Sequence, residues 1–373
     1  MSLPEAYLAE FSEGFGYMDF AGTGPPSRRV VTTVADTYRR VANAGESVSR
    51  WILGAYEAAL GTMARFLGIS PEQVTAVPST SAGLFQVAFG LLDAGGNVVV
   101  PAREFPANLY PWLRAEAVGG PEVRTVEVPD GRVTAAALAA AVDGETRVVA
   151  VSMVDYLTGY RVDLGELREL AGAALLVVDG MQGLGMLAQG LAPADVMVGG
   201  GVKWLRAGWG SGAIAVSPAA LDRLAPNLTG WFGVEDFLGL TTPPPHPARA
   251  DAERLRDGSP AVYSALAYAA AVDVLDIAGI TAVERAVLDV AEALEDVLVA
   301  AGAVILCPSR SPAERSGIVS FRLPTETAAA TAARLGEAGL AVGHHEPWVR
   351  LSPHATTDPD VVGAFAEAIA PQG

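Results

Sequence analysis

Cysteine is almost missing from this chain: there is one, Cys307, in 373 residues. No intrachain disulfide can form, and a reducing, cytoplasmic compartment is the expectation. Positive charge is scarce as well. Lys and Arg number 25 against 42 Asp and Glu, the net charge is −17, and no basic run occurs. Nucleic acid and anionic membrane surfaces are therefore poor partners. The N-terminus has no basic segment leading into a long apolar one, so no signal peptide is expected. The most apolar stretch, Ala261 to Ile280, is broken by Asp273 and Asp276 and ended by Gly279. It reads as a buried or interface helix rather than a membrane span. The four histidines (His246, His344, His345, His354) lack ligand spacing with carboxylates or thiols, so no metal site is expected. Cys307, within Val304-Ile305-Leu306-Cys307-Pro308, reads as a small buried residue in a strand.

What the chain does have is two short apolar runs that each end in a polar group. Leu175-Leu176-Val177-Val178 runs into Asp179, and Val196-Met197-Val198-Gly199-Gly200-Gly201-Val202 runs into Lys203. Short Val-rich runs bounded by Gly read as buried parallel strands. Open α/β sheets bind ligands beyond the carboxyl ends of such strands. A carboxylate and an amine delivered to that edge suit pyridoxal phosphate, which bonds covalently to a lysine and uses an acid to keep its ring nitrogen protonated. Ser79-Thr80-Ser81-Ala82-Gly83 precedes a helix. Hydroxyls and free N–H groups at a helix N-terminus fit a phosphate, though a plain N-cap accounts for the same residues. Gly183-Leu184-Gly185-Met186-Leu187-Ala188 fits a dinucleotide fingerprint, but no acidic residue follows at a second strand end, where Lys203 stands instead.

Further strands are expected at Asn97–Pro101, Val123–Val128, Val148–Val154 and Ala213–Ser217, with helices at Arg50–Leu67, Thr134–Val142 and Leu164–Ala171. Strands alternating with helices predict a largely parallel sheet covered on both faces. Residues 1 to about 25 read as extended and glycine-rich, and Thr241 to Pro247 as a rigid crossing loop. From about Ile280 the pattern becomes a helix, strands at Val304–Cys307, Ile318–Leu323, Leu340–Gly343 and Val349–Leu351, and flanking helices. The expected division is an N-terminal segment (1–25), a large domain (26–278) and a small α+β domain (279–373).

These residues in this order resemble the fold-type I pyridoxal phosphate enzymes of the class V aminotransferase group, which includes cysteine desulfurases, kynureninases and isopenicillin-epimerase-like proteins. The resemblance spans nearly the whole chain. Tyr17-Met18-Asp19-Phe20-Ala21-Gly22-Thr23-Gly24-Pro25 resembles the group's N-terminal substrate strip, which puts Thr23 near substrate. Thr80 and Ser81 match its phosphate-binding hydroxyls, and Phe105 the aromatic that stacks on the cofactor ring. Asp179 and Gln182 match the residues at the ring nitrogen and ring hydroxyl, and Lys203 matches the covalent lysine. Gly258-Ser259-Pro260 resembles a motif whose hydroxyl reaches the phosphate of the other subunit. Arg350, in Val349-Arg350-Leu351-Ser352-Pro353-His354, is similar to the arginine that holds the substrate carboxylate. The resemblance implies a homodimer with shared active sites that acts at the α-carbon of an amino acid.

There are departures from the group's pattern. Val202 stands where many relatives place His or Tyr against the phosphate, and Trp231 or Ser259 from a second copy is the candidate replacement. Gly343-His344-His345-Glu346-Pro347-Trp348 contains no cysteine where the desulfurases carry their nucleophile. Asp155 and Tyr156 stand where relatives carry asparagine near the ring hydroxyl. Amino transfer is the expected activity. The alternatives are C–S or β-eliminating lyase chemistry on a cysteine-derived substrate, and a non-enzymatic ligand-binding module of the same fold.

Overall fold

The computed structural model describes residues 3–370 except 44–46, 240–242, 244 and 309–310. Its centre is a seven-stranded sheet: β1 (Val74–Ala76), β2 (Asn97–Pro101), β3 (Glu122–Val126), β4 (Thr146–Ser152), β5 (Leu175–Asp179), β6 (Val196–Gly200) and β7 (Gly212–Val216), in the spatial order β1-β7-β6-β5-β4-β2-β3. Every neighbouring pair from β6 through β3 is parallel, and β7 runs antiparallel to both its neighbours. Every residue of β2, β5, β6 and β7 is buried. That is why these strands read as continuous Val-rich runs rather than alternating ones. One apolar cluster covers one face, with Leu60, Met63, Tyr268 and Val272 among its members; a second, with Leu84, Val87 and Trp112, covers the other. The α/β class with a mostly parallel sheet is as expected.

Gly83 shows how closely the second layer sits. A Cβ there would lie 2.4 Å from Val198 Cγ1, so glycine lets the helix Thr80–Phe89 lie directly on β6. The covering helices Val48–Leu67 and Val262–Ala278 belong to the opposite face. The latter is the stretch that was expected to be a buried helix. No single helix among the described residues is long and apolar enough to cross a membrane. At Gly279 (φ +77°) the chain bends by 79° into the helix Ile280–Ala300. The boundary we propose between large and small domains, 278/279, falls at this bend.

Beyond it stands a four-stranded antiparallel sheet ordered Gly343–His345, Trp348–Leu351, Val319–Arg322, Val304–Ile305. Three expectations need correction. Leu340–Gly343 is not one strand. Leu340–Ala341 pairs in parallel with Gly16–Tyr17, while Gly343 begins a separate strand paired with Trp348–Leu351. Cys307 is buried as expected but lies past the strand, which ends at Ile305. The N-terminal segment is also not extended throughout, since Glu5–Leu8 is helical. Its later part is extended because it borrows hydrogen bonds from the small sheet region: Met18 N donates to Ala341 O at 2.8 Å and Phe20 N to Ser352 O at 3.1 Å. Residues 241, 242 and 244 of the proline-rich crossing lie outside the described residues.

Candidate active site

Parallel strands place their carboxyl ends on one edge, and the chemistry gathers there. Ser152 closes β4 and Asp179 closes β5, and the two are register partners; Asp179 in turn pairs with Val198 of β6. Asp179 is 3% exposed, and its Oδ1 accepts a 2.8 Å hydrogen bond from Met181 N. Burial pushes its carboxyl up to about 6, against the opposing effects of that N–H and the Lys203 charge. Lys203 follows β6 by a tight turn. Burial and the Arg350 guanidinium bring its amine down to about 8, partly offset by Asp179 and Asp19. Its Nζ stands 5.4 Å from the centroid of the Phe105 ring. The backbone around Lys203 is pinned from the N-terminal strip: Gly24 N donates to Val202 O at 2.8 Å, and a Cβ on Gly24 would lie 1.9 Å from Lys203 O.

Arg350 arrives from the small sheet. Its Nη1 donates to Tyr156 O at 3.0 Å and its Nη2 to Asp19 Oδ1 at 3.3 Å. Its buried Nε has no hydrogen-bond partner among the described residues. Burial lowers the proton affinity of the guanidinium, and Asp19 partly restores it. Phe105 packs edge-on against Tyr156 with centroids 5.2 Å apart. Lys203, Asp179, Phe105, Tyr156 and Arg350 thus converge on one space at the sheet's carboxyl edge.

Other expected residues take more particular places. Ser79 caps the helix, accepting from Ala82 N at 3.1 Å, while the buried Thr80 Oγ1 accepts from Gly200 N at 2.9 Å and ties the helix start to the end of β6. Ser81 is part-buried in the first turn. Gln182 is buried with both ends of its amide engaged: Nε2 donates to Ala21 O at 3.1 Å, and Oε1 accepts from Trp204 Nε1 at 2.8 Å. Thr23 lies in the strip and its carbonyl accepts from Tyr17 Oη at 2.6 Å. Asp155 braces a turn, accepting from Leu157 N at 3.0 Å and Thr158 N at 2.6 Å. Ser259 and Trp231 are exposed. The dinucleotide fingerprint fails on geometry: Gly183 to Ala188 form turns, and no helix begins there.

Four participants were not foreseen. Asp19 lay inside the quoted strip but carried no role. Glu104 is buried, and its carboxylate accepts from Ser152 N at 2.7 Å and from Ser152 Oγ at 2.5 Å. Trp204 is buried, and its N–H orients Gln182; a buried indole N–H generally needs a partner, and that was the available signal. His345 joins the group through Tyr156. Among the described residues, no cluster of His, Cys, Asp or Glu is arranged to hold a metal.

The class V aminotransferase family model matches residues 16–349. The chain belongs to this family. It is 30% identical over 336 residues to an isopenicillin N epimerase of Streptomyces clavuligerus, covering 83% of this chain and 82% of that protein. It is 30% identical over 377 residues to a probable cysteine desulfurase of Pseudomonas aeruginosa, covering 92% and 89%. Among solved structures, a cysteine desulfurase from Thermococcus onnurineus NA1 superposes with a TM-score of 0.86 at 23% identity, covering 98% of this chain and 97% of that one. The cystine C–S lyase C-DES, solved with cysteine persulfide, gives 0.87 at 20%, covering 96% and 98%. At these identities the structural likeness establishes the fold, a fold-type I architecture. Class V aminotransferases are pyridoxal-phosphate-dependent.

Proposed function

We propose that this protein is a pyridoxal-phosphate-dependent enzyme acting at the α-carbon of an amino acid, with amino transfer as its reaction. The observation that carries the reading is the pairing of Asp179 with Lys203 at adjacent strand ends, close enough for each to shift the other's proton affinity. The residues fit the cofactor by their own chemistry. Lys203 offers a part-buried amine of lowered basicity, and Asp179 a buried carboxylate without a side-chain partner. Phe105 offers a ring whose centroid is 5.4 Å from Lys203 Nζ. Thr80 and Ser81 would hold the phosphate at a helix N-terminus, and Gln182 would stand beside the ring.

When bound, pyridoxal phosphate supplies an aldehyde that takes up an amine and a ring that draws electrons from the α-carbon. Everything else falls to the chain. Asp179 would hold the ring nitrogen protonated through its carboxylate charge. The Lys203 amine, lowered to about 8, would be suited to taking a proton from the α-carbon and returning one. Arg350 would orient the substrate through its carboxylate. Gln182, fixed at both ends of its amide, excludes water from the ring's edge.

A second reading, elimination from the side chain of a cysteine-derived amino acid, is supported by His345 and Tyr156 beside the place where that side chain would lie. We also propose that the chain works as a homodimer. Trp209 and Trp231 are 80% and 51% exposed, and Ser259 faces outward, so a second copy would cover them and supply the phosphate donor that Val202 does not. Sedimentation of the loaded protein as a stable monomer would defeat that part. For the reaction, α-proton exchange of single amino acids in deuterated water should be followed with and without a 2-oxo acid. Exchange together with new amino acid formed from the 2-oxo acid supports transfer. Release of ammonia and pyruvate supports elimination. No exchange with any amino acid counts against both.

A further inference from the structure

The hairpin that carries Arg350 has two faces, and its register says what stands on each. Gly343 pairs with Arg350, His344 with Val349 and His345 with Trp348. On the adjoining strand Ser320 pairs with Arg350 and Phe321 with Val349. Side chains directly opposite share a face, and successive ones alternate. Val319, Phe321, Val349 and Leu351 therefore point one way, into the apolar core of the small sheet. Ser320, Arg350, Gly343 and His345 point the other way.

That second face is the one turned to the active site. Arg350 Nη1 and Ser320 Oγ donate to the consecutive carbonyls of Tyr156 and Leu157. The His345 ring stands edge-on to Tyr156 with centroids 6.0 Å apart. Tyr156 in turn touches Phe105, 5.2 Å away, whose centroid is 5.4 Å from Lys203 Nζ. Gly343 keeps the interval open, since a Cβ there would meet Asp19 Oδ1 at 2.9 Å and Arg350 Nη2 at 3.4 Å. Neither ring nitrogen of His345 has a hydrogen-bond partner among the described residues.

His345 is two residues from the direct partner of Arg350. Diagonal neighbours of this kind lie about 7–8 Å apart. The two side chains therefore rise from one face of one hairpin, which puts His345 beside a ligand held at its carboxylate by Arg350. Tyr156 stands against the imidazole, and the charges that act on it are those of Arg350, Asp19, His344 and Lys203. Partial burial and then the Arg350 charge lower its proton affinity, which favours the neutral ring that both donates and accepts. An uncharged imidazole selects a neutral polar group rather than an anion.

We propose that His345 is the specificity-determining residue of this site, hydrogen-bonding an uncharged polar atom on the substrate side chain, so that amino acids of the serine and cysteine type bind in preference to apolar isosteres. This rests on the reading that Lys203 and Arg350 hold an amino acid between them. The test is titration of the cofactor-loaded protein with serine, 2-aminobutyrate and alanine, following the visible absorption as each binds. Serine and 2-aminobutyrate have the same shape and differ in the hydroxyl. The wild type should bind serine about 5- to 10-fold more tightly than 2-aminobutyrate, the factor a single hydrogen bond gives. His345→Ala should abolish that preference and leave the alanine affinity within about twofold, because a lost hydrogen bond acts only on the ligand that made it. His345→Gln, which keeps a donor and an acceptor, should retain part of the preference. In a histidine-labelled sample, the ring signal missing from His345→Ala should shift with serine and not with alanine. The proposal is overturned by a wild type without preference, by a His345→Ala variant that keeps it, or by equal losses for serine and alanine. A wild type whose spectrum responds to no amino acid overturns the reading of the site itself, and this one with it.

Discussion

Arg350 and Asp19 form a half-satisfied pair: Nη2 reaches Oδ1 at 3.3 Å, while the buried Nε of the same guanidinium has no partner among the described residues. A planar guanidinium fork with an unspent donor suits a carboxylate. Arg350→Ala should leave cofactor loading intact and weaken an amino acid by about 1.5–3 kcal/mol, the range for hydrogen bonds to charged groups. Asp19 is part-exposed, so water can replace its lost partner. The matching amine without a carboxylate should be nearly indifferent to the change. A variant that does not load cofactor, or that separates acid from amine as the wild type does, assigns Arg350 a structural role.

Lys203 should carry the cofactor covalently. Borohydride reduction and peptide mapping should find the pyridoxyl group on Lys203 and on no other lysine. The pH dependence has a definite sign. Only the unprotonated amine attacks an aldehyde, and Lys203 is brought down to about 8 rather than remaining near 10.5. The rate of loading should therefore rise with pH and level off just above 8. A rate still climbing steeply at pH 10 would show an amine that is neither buried nor near Arg350.

The large sheet was legible because burial on both faces writes strands as unbroken apolar runs. Asn97–Pro101 and Leu175–Asp179 appear with the expected bounds. The short β1 was missed because three residues carry no period. The helix Arg28–Ala42 was missed because it buries only Val30 and Thr37 and leaves apolar residues such as Val31 and Tyr38 exposed. Asp179 and Lys203 could be read because each ends such a run. Glu104 and His345 could not, since their meaning comes from partners far along the chain: Ser152 for the first, Tyr156 for the second. Splitting Leu340–Gly343 into two strands needed knowledge that Gly16–Tyr17 would come to pair with its first half.

Asp179→Asn should keep the cofactor, because the amide accepts from Met181 N as the carboxylate does. It should lose activity by roughly 10²-fold or more, since a neutral amide does not hold a proton on the ring nitrogen. The residual activity should not recover at high pH, which would deprotonate the ring further. Turnover near the wild-type level on the true substrate would remove Asp179 from the ring nitrogen.

Glu104 gives the prediction that depends least on the cofactor. Its carboxyl is buried against the end of β4, and burial pushes it up to about 7, with the Asp179 charge adding to the rise and Ser152 opposing it. In the unfolded chain the same group titrates near 4.5. Between those values the folded state binds the proton and the unfolded state does not, so stability falls as pH rises through this window. Glu104→Gln removes the titration while keeping an acceptor for Ser152 N and a donor for Ser152 Oγ. The variant should match the wild type near pH 4.5. It should be more stable than the wild type above pH 7, by a margin on the order of 3 kcal/mol. Urea unfolding of the cofactor-free protein at pH 5 and pH 8, at one protein concentration, reads the difference directly. If the two proteins lose stability in parallel between those pH values, Glu104 is ionised in the fold throughout, and the electrostatic account of this end of the sheet is wrong.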